Sequence, residues 1–314
     1  MGKVAFVFPG QGAQYVGMGK EISDNYSQAK EVFQEASDSL NIDMEKLCFS
    51  GPEEDLVRTE NTQPAILTAS VAVLRALESQ GVDCSITAGL SLGEYTSLVK
   101  SDVFKFSDAV RVVRNRGKYM QEAVPFGIGT MAAILGLSSE AVDKCIEQCK
   151  KHGVVEVANY NSPGQIVISG EVEAVKAAVS VASEMGAKKA VILPVSAPFH
   201  CSLLESAGVK LQSDLEKVSM ENPKIPVVRN INAEILTSKN EVLPSLVKQV
   251  SKSVQWEDSV KLMLNRGVDT FVEIGPGKTL SAFIKRISKN ENKKVNTYNI
   301  DSMKDLDNFL SKHN

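Results

Sequence analysis

Ala88-Gly89-Leu90-Ser91-Leu92-Gly93-Glu94-Tyr95 follows a short apolar run, Ser85-Ile86-Thr87-Ala88, and leads into a helix-like segment, Glu94 to Val99. Gly-x-Ser-x-Gly between a strand and a helix permits a tight turn that exposes the serine hydroxyl at the strand's carboxyl end. The first amide of the following helix, that of Leu92, then faces the oxyanion that forms after attack on a carbonyl. The pattern is short and recurs by chance. The plainer alternative is that Ser91 caps the helix beginning at Leu92.

A chain of 314 residues can bury a large core, as one big domain or two unequal ones. Lys+Arg 35 against Asp+Glu 38 gives a formal charge of −3, so no global field favours nucleic acid or an anionic membrane. Any acidic partner must meet a local basic patch. The N-terminus enters an apolar strand, Val4 to Phe8, without a charged leader, and no apolar run reaches transmembrane length. A cytoplasmic protein without membrane or nucleic-acid partners is expected. Cys48, Cys84, Cys145, Cys149 and Cys201 are scattered and odd in number. No His or further Cys stands near Cys145 and Cys149 to complete a zinc site, so free thiols and no metal are expected.

After Val4–Phe8, the turn Pro9-Gly10-Gln11-Gly12 resembles a dinucleotide loop but has Tyr15 where the last glycine belongs. It leaves Gln11 at a strand's carboxyl end. Helices are predicted over about 22–40 and 65–78, the second with Pro64 at its first position and Gly81 beyond its end. The helix over 107–124 is more informative. At about 100° per residue, Arg111, Arg114, Asn115, Lys118, Gln121 and Glu122 share a polar arc, whereas Arg116 falls among Val112, Val113 and Met120. A guanidinium there cannot shed its charge and needs an anion, either a structural Asp or Glu or a substrate carboxylate. The wheel leaves both open.

From Pro125 the periodicity changes. Strands over 130–136, 154–159, 165–169 and 189–195 and helices over 139–151 and 173–185 give the order β-α-β-β-α-β, with a turn at Asn161-Ser162-Pro163-Gly164. This is a ferredoxin-like unit inserted into a larger domain, which resumes at Ser196. Helices are then expected at about 203–218, 246–254, 256–267 and 280–287, and strands at 227–228 and 270–274. Gly277-Lys278-Thr279 fails as a phosphate loop because position 272 is Val. The Asn- and Lys-rich tail after Lys289 reads as peripheral.

A nucleophilic serine needs a base, usually histidine. Of three histidines, His313 is penultimate and His152 ends a charged helix, where the helix dipole accounts for it. His200 remains, in Pro198-Phe199-His200. No acid stands out between Ser91 and His200, so a backbone group is expected to orient the imidazole.

Phe8-Pro9-Gly10-Gln11-Gly12, Gly89-x-Ser91-Leu92-Gly93-Glu94-Tyr95, Arg116-Gly117-x-x-Met120-Gln121, Asn159-Tyr160-Asn161-Ser162-Pro163-Gly164-Gln165, Pro198-Phe199-His200 and Glu273-Ile274-Gly275-Pro276-Gly277 occur in this order. Together they resemble the malonyl-CoA:acyl carrier protein transacylases of type II fatty acid synthesis, from about Lys3 to Ile287. The resemblance implies an α/β fold, with an α/β-hydrolase-like large domain (1–124 and 196–314) and an inserted ferredoxin-like (βαββαβ) small domain (125–195). It implies Ser91 as nucleophile, His200 as base, the amides of Gln11 and Leu92 as oxyanion hole, and Arg116 as ligand of the malonyl carboxylate. Gln249 is implied to orient the histidine through its backbone carbonyl. Malonyl-CoA and acyl carrier protein are the expected partners, no metal or redox cofactor is required, and a monomer is expected. The family usually has His before the serine; this chain has Leu90. The competing readings are a serine thioesterase or esterase, and a non-catalytic carrier-protein-binding scaffold. For an acidic carrier protein, Lys278, Lys285, Arg286 and Lys289 offer a basic patch whose plainer reading is a solvated helix face.

Overall fold

The two faces of the first strand carry different residues, and each face is buried under its own layer. Phe6 and Phe8 join one apolar cluster, and Ala5 and Val7 join another. A strand buried on both faces belongs in the middle of a mostly parallel sheet covered by helices on both sides. The computed structural model, which describes residues 2–195 and 197–313, has this architecture.

The strands among the described residues are β1 (Lys3–Phe8), β2 (Ile86–Gly89), β3 (Gly129–Leu135), β4 (Val155–Ser162), β5 (Gln165–Glu171), β6 (Lys189–Ile192), β7 (Val227–Val228), β8 (Ile235–Leu236), β9 (Val268–Ile274) and β10 (Asn296–Ile300). The larger sheet has the order β10-β9-β1-β2-β7-β8. All its pairings are parallel except that of β7 with β8. The smaller sheet, β4-β5-β3-β6, is antiparallel throughout. With the helices Ser139–Cys149 and Val172–Glu184 packed on one face, it is the βαββαβ unit expected from the sequence. Its β4 edge is not left open, because Tyr160 N–H donates to Val254 O at 3.0 Å and Val254 N–H to Ala158 O at 2.8 Å. The expected resumption of the large domain at Ser196 lies outside the described residues.

Several boundaries differ from expectation. The helix over 22–40 is two, Lys20–Asn25 and Ser27–Leu40, broken at an extended Tyr26. Asn25 Nδ2 donates to Glu21 O at 2.8 Å, a side-chain bond that competes with helix continuation. The helix expected from Ala65 starts at Thr59 and ends at Ser79, so Pro64 lies inside it and one backbone bond is lost. The helix placed at 246–254 is Val242–Gln249. The tail is not peripheral: β10 extends the large sheet, and Ile300, Leu306 and Phe309 are buried in its core. The polar residues that disguised it belong to an edge strand, where polarity protects against pairing with other chains.

Candidate active site

β2 carries the chain to Gly89, and the turn beyond it is held by sterics and by one asparagine. A Cβ on Gly89 would lie 1.9 Å from the carbonyl carbon of Gly93, and one on Gly93 would lie 2.2 Å from Phe8 O. Both positions therefore require glycine. Ser91 has φ +53°, in the left-handed region, a strain of about 1–3 kcal/mol that the surroundings must impose. Asn230 imposes it: Oδ1 accepts from Ser91 N–H at 2.6 Å and Nδ2 donates to Gly89 O at 2.7 Å. The helix Gly93–Lys100 has no side-chain cap, so the reading of Ser91 as a helix cap is set aside.

His200 Nε2 lies 2.7 Å from Ser91 Oγ, and its Nδ1 lies 2.8 Å from Gln249 O. A carbonyl can only accept, so Nδ1 carries the hydrogen and Nε2 is free to accept from the serine. Gln249 is the last residue of its helix, where carbonyls have no partner within the helix. The earlier end of that helix is what frees this carbonyl for the imidazole. Burial, with the nearby positive charge of Arg116, pushes the His200 pKa down to about 4. The ring is neutral at neutral pH and able to take up a proton.

Arg116 is 2% exposed. Nη1 donates to Gln63 Oε1 at 2.8 Å, and Nη2 donates to Gln249 Oε1 and to Ser91 Oγ, each at 3.0 Å. Its guanidinium carbon lies 5.5 Å from the centre of the Tyr95 ring, and Nε has no hydrogen-bond partner among the described residues. These partners are all neutral. A carboxylate in direct contact, one of the two alternatives left by the helical wheel, is not found among the described residues.

Gln11 follows β1 in a turn, and neither its backbone N–H nor that of Leu92 has a protein acceptor among the described residues. Gln11, Leu92, Ser91, Arg116 and His200 line one cavity of about 730 Å³, whose other wall includes Met131 and Leu193 from the small unit. The five cysteines are free thiols. No cluster of His, Cys, Asp and Glu among the described residues is placed to hold a metal ion. Lys278, Lys285, Arg286 and Lys289 are exposed. The helix Thr279–Asn290 begins at the cavity mouth through Thr279 and Phe283.

Sequence reasoning did not pick out Gln63, Asn230, Glu94 or the side chain of Gln249 as site residues. Glu94 carried the one readable signal, a charged residue directly after the Gly-x-Ser-x-Gly turn.

A serine at a strained strand-to-helix turn, paired with a neutral buried imidazole, places the chain among α/β proteins able to pass acyl groups through a serine ester. Residues 5–313 match the model of the acyl transferase domain family. The malonyl CoA-acyl carrier protein transacylase of Bacillus subtilis (strain 168) is 44% identical over 290 residues, which cover 92% of each chain. The crystal structure of malonyl CoA-acyl carrier protein transacylase from Clostridium perfringens is 49% identical, with a TM-score of 0.95, and covers 99% of this chain and 97% of its own. A structure of a type II PKS acyl-carrier protein in complex with its malonyl-transacylase is 40% identical, with a TM-score of 0.95 and 99% coverage of both chains. The chain belongs to the acyl transferase family, among the malonyl CoA-acyl carrier protein transacylases.

Proposed function

We propose that this chain moves a malonyl group from coenzyme A to the phosphopantetheine thiol of acyl carrier protein, through a malonyl ester on Ser91, in fatty acid biosynthesis. The observation that carries this reading is Arg116, a buried guanidinium with only neutral partners, aimed at the Ser91 hydroxyl. A desolvated cation beside a nucleophile fits a substrate with a carboxylate close to its reacting carbonyl, as malonyl has. The relatives carry the corresponding names, and one was solved with a carrier protein.

Ser91 Oγ attacks the thioester carbonyl as His200 Nε2 takes its proton, and the amides of Gln11 and Leu92 hold the oxyanion. The intermediate collapses, and the coenzyme A sulfur leaves with the proton from His200. The carrier thiol then gives its proton to His200 and attacks the ester, and Ser91 leaves with that proton restored. A thioester is converted into a thioester, so the reaction as written needs no metal or redox partner. The small unit, residues 125–195, forms the far wall of the site, and residues 1–124 and 196–314 carry the chemistry. The reading includes a monomer in the cytoplasm.

The thioesterase or esterase reading is disfavoured by the charge in the acyl pocket, which an uncharged acyl chain does not need. Intact-protein mass spectrometry after mixing with malonyl-CoA tests the proposal: a malonyl adduct on Ser91 that pantetheine thiol removes faster than water does is the expected result. No adduct leaves the scaffold reading, and faster loss to water returns the chain to the hydrolases.

A further inference from the structure

Behind Arg116, and not touching it, lies a buried carboxylate. Glu94 is 2% exposed in the first turn of the helix Gly93–Lys100. Its Oε2 accepts from Gln249 Nε2 at 2.7 Å and from Asn230 N–H at 3.1 Å. Gln249 Nε2 also donates to Ser91 O at 2.9 Å.

A primary amide has a donor end and an acceptor end. With both Nε2 hydrogens committed to Ser91 O and Glu94, the acceptor end of Gln249 faces Arg116 Nη2 at 3.0 Å. Turning the amide over would set its N–H groups against the guanidinium and its oxygen against the carboxylate. Two attractive contacts would become two repulsive ones. Asn230 N–H holds Glu94 Oε2 as an acceptor, and Ser91 O can likewise only accept, so Glu94 and Ser91 O together forbid the turn.

We propose that Glu94 is a positioning residue for recognition of the substrate carboxylate: it locks Gln249 Oε1 onto Arg116 and thereby holds the guanidinium at the Ser91 hydroxyl. The proposal rests on the function proposed above.

Two conservative variants separate orientation from charge. Glu94→Gln keeps the reach and an acceptor oxygen while removing the charge. Glu94→Asp keeps the charge but withdraws it by one C–C bond, about 1.5 Å, out of hydrogen-bond range of Gln249. The readout is the ratio of kcat/KM for malonyl-CoA to that for acetyl-CoA. Glu94→Gln is expected to keep the ratio within about threefold, and Glu94→Asp to lower it about tenfold or more, chiefly through KM for malonyl-CoA. The proposal is overturned if Glu94→Asp leaves the ratio unchanged, if it lowers both substrates equally, or if Glu94→Gln is as harmful as Glu94→Asp. Should Glu94→Asp not fold, Gln249→Met in the Glu94→Gln background removes the same relay while keeping the carbonyl on His200. The same fall is then expected, and an unchanged ratio overturns the proposal. Wild type and Arg116→Ala run alongside. Absence of malonyl transfer in wild type, or an unchanged ratio in Arg116→Ala, defeats the proposed function rather than the role of Glu94.

Discussion

Arg116 Nη2 donates to Ser91 Oγ at 3.0 Å, so the positive charge of the pocket is built against the oxygen that His200 also contacts, at 2.7 Å. A carboxylate bound at this guanidinium brings a neighbouring carbonyl to the serine. On the proposed function, the arrangement couples substrate selection to the position of the nucleophile.

Replacing Arg116 with alanine tests that coupling. Leaving a buried charge without its partner typically costs about 3–5 kcal/mol, which is roughly two to four powers of ten in kcat/KM for malonyl-CoA. Acetyl-CoA has no carboxylate, so its slow turnover is expected to change little. The ratio of the two, measured with a thermal melt as a folding control, should fall by the same two to four decades. Parallel losses on both substrates would mark Arg116 as a structural residue.

Two buried titratable groups of the site, His200 and Glu94, give opposite pH signatures. The His200 pKa is pushed down to about 4, so its contribution to stability is present above the unfolded value of 6.5 and is lost as pH falls towards 4. Acylation of Ser91 by a neutral ester such as p-nitrophenyl acetate should accordingly stay flat from pH 8 to 5 and fall only near pH 4. An acid limb at 6.5 would mean the imidazole titrates as if exposed. Glu94 is pushed up to about 7, chiefly by burial, although bonds from Gln249 and Asn230 and the charge of Arg116 act against the shift. Its contribution is present below the unfolded value of 4.5 and is lost as pH rises through 7. His200 and Glu94 oppose each other between pH 5 and 6.5, so the readout is the difference between variants: on going from pH 5 to 8, the melting temperature of wild type should drop relative to that of Glu94→Gln.

The fold was legible where periodicity is strong. The continuous apolar run of β1, buried on both faces, and the helix-strand rhythm of 125–195 both reflect residues whose apolar faces must be covered. It was illegible where polar residues do structural work, as in β10, whose Asn- and Lys-rich surroundings hide Ile300. In the site, Ser91 and Arg116 announced themselves through local pattern. Asn230 and Glu94 act through contacts more than 130 positions apart in the chain; no local pattern carries Asn230, and the charge after the Gly-x-Ser-x-Gly turn marks Glu94 without showing what it holds.

Leu90 stands where the family usually has His, and the question it raises is whether the turn is still held. Asn230 holds it from both sides, at Ser91 N–H and Gly89 O, while Leu90 packs partly buried against the cluster that contains Val228 and Val254. Leu90→His is therefore expected to change kcat by less than about tenfold, roughly 1.4 kcal/mol in barrier. A hundredfold change in either direction would show that position 90 takes part in the chemistry.

Carrier protein is acidic as a class, and this chain has a formal charge of −3, so docking needs a local basic surface. The helix Thr279–Asn290 offers one. It starts at the cavity mouth and carries Lys285, Arg286 and Lys289 on exposed positions. Arg286 also donates to Gln165 Oε1 at 2.9 Å, joining this helix to the small unit, so its replacement disturbs more than charge. Lys285 has no such side-chain contact among the described residues, which makes Lys285→Glu the cleaner variant and Lys285→Glu with Arg286→Glu the stronger one. Both are expected to raise KM for acyl carrier protein, the double variant by more, and to lose that effect in high salt, where exposed charges are screened. KM for malonyl-CoA should stay within about twofold of wild type. Equal effects on the two substrates would point to a disturbed site rather than a docking surface, and no effect on either would leave the patch as a solvated helix face.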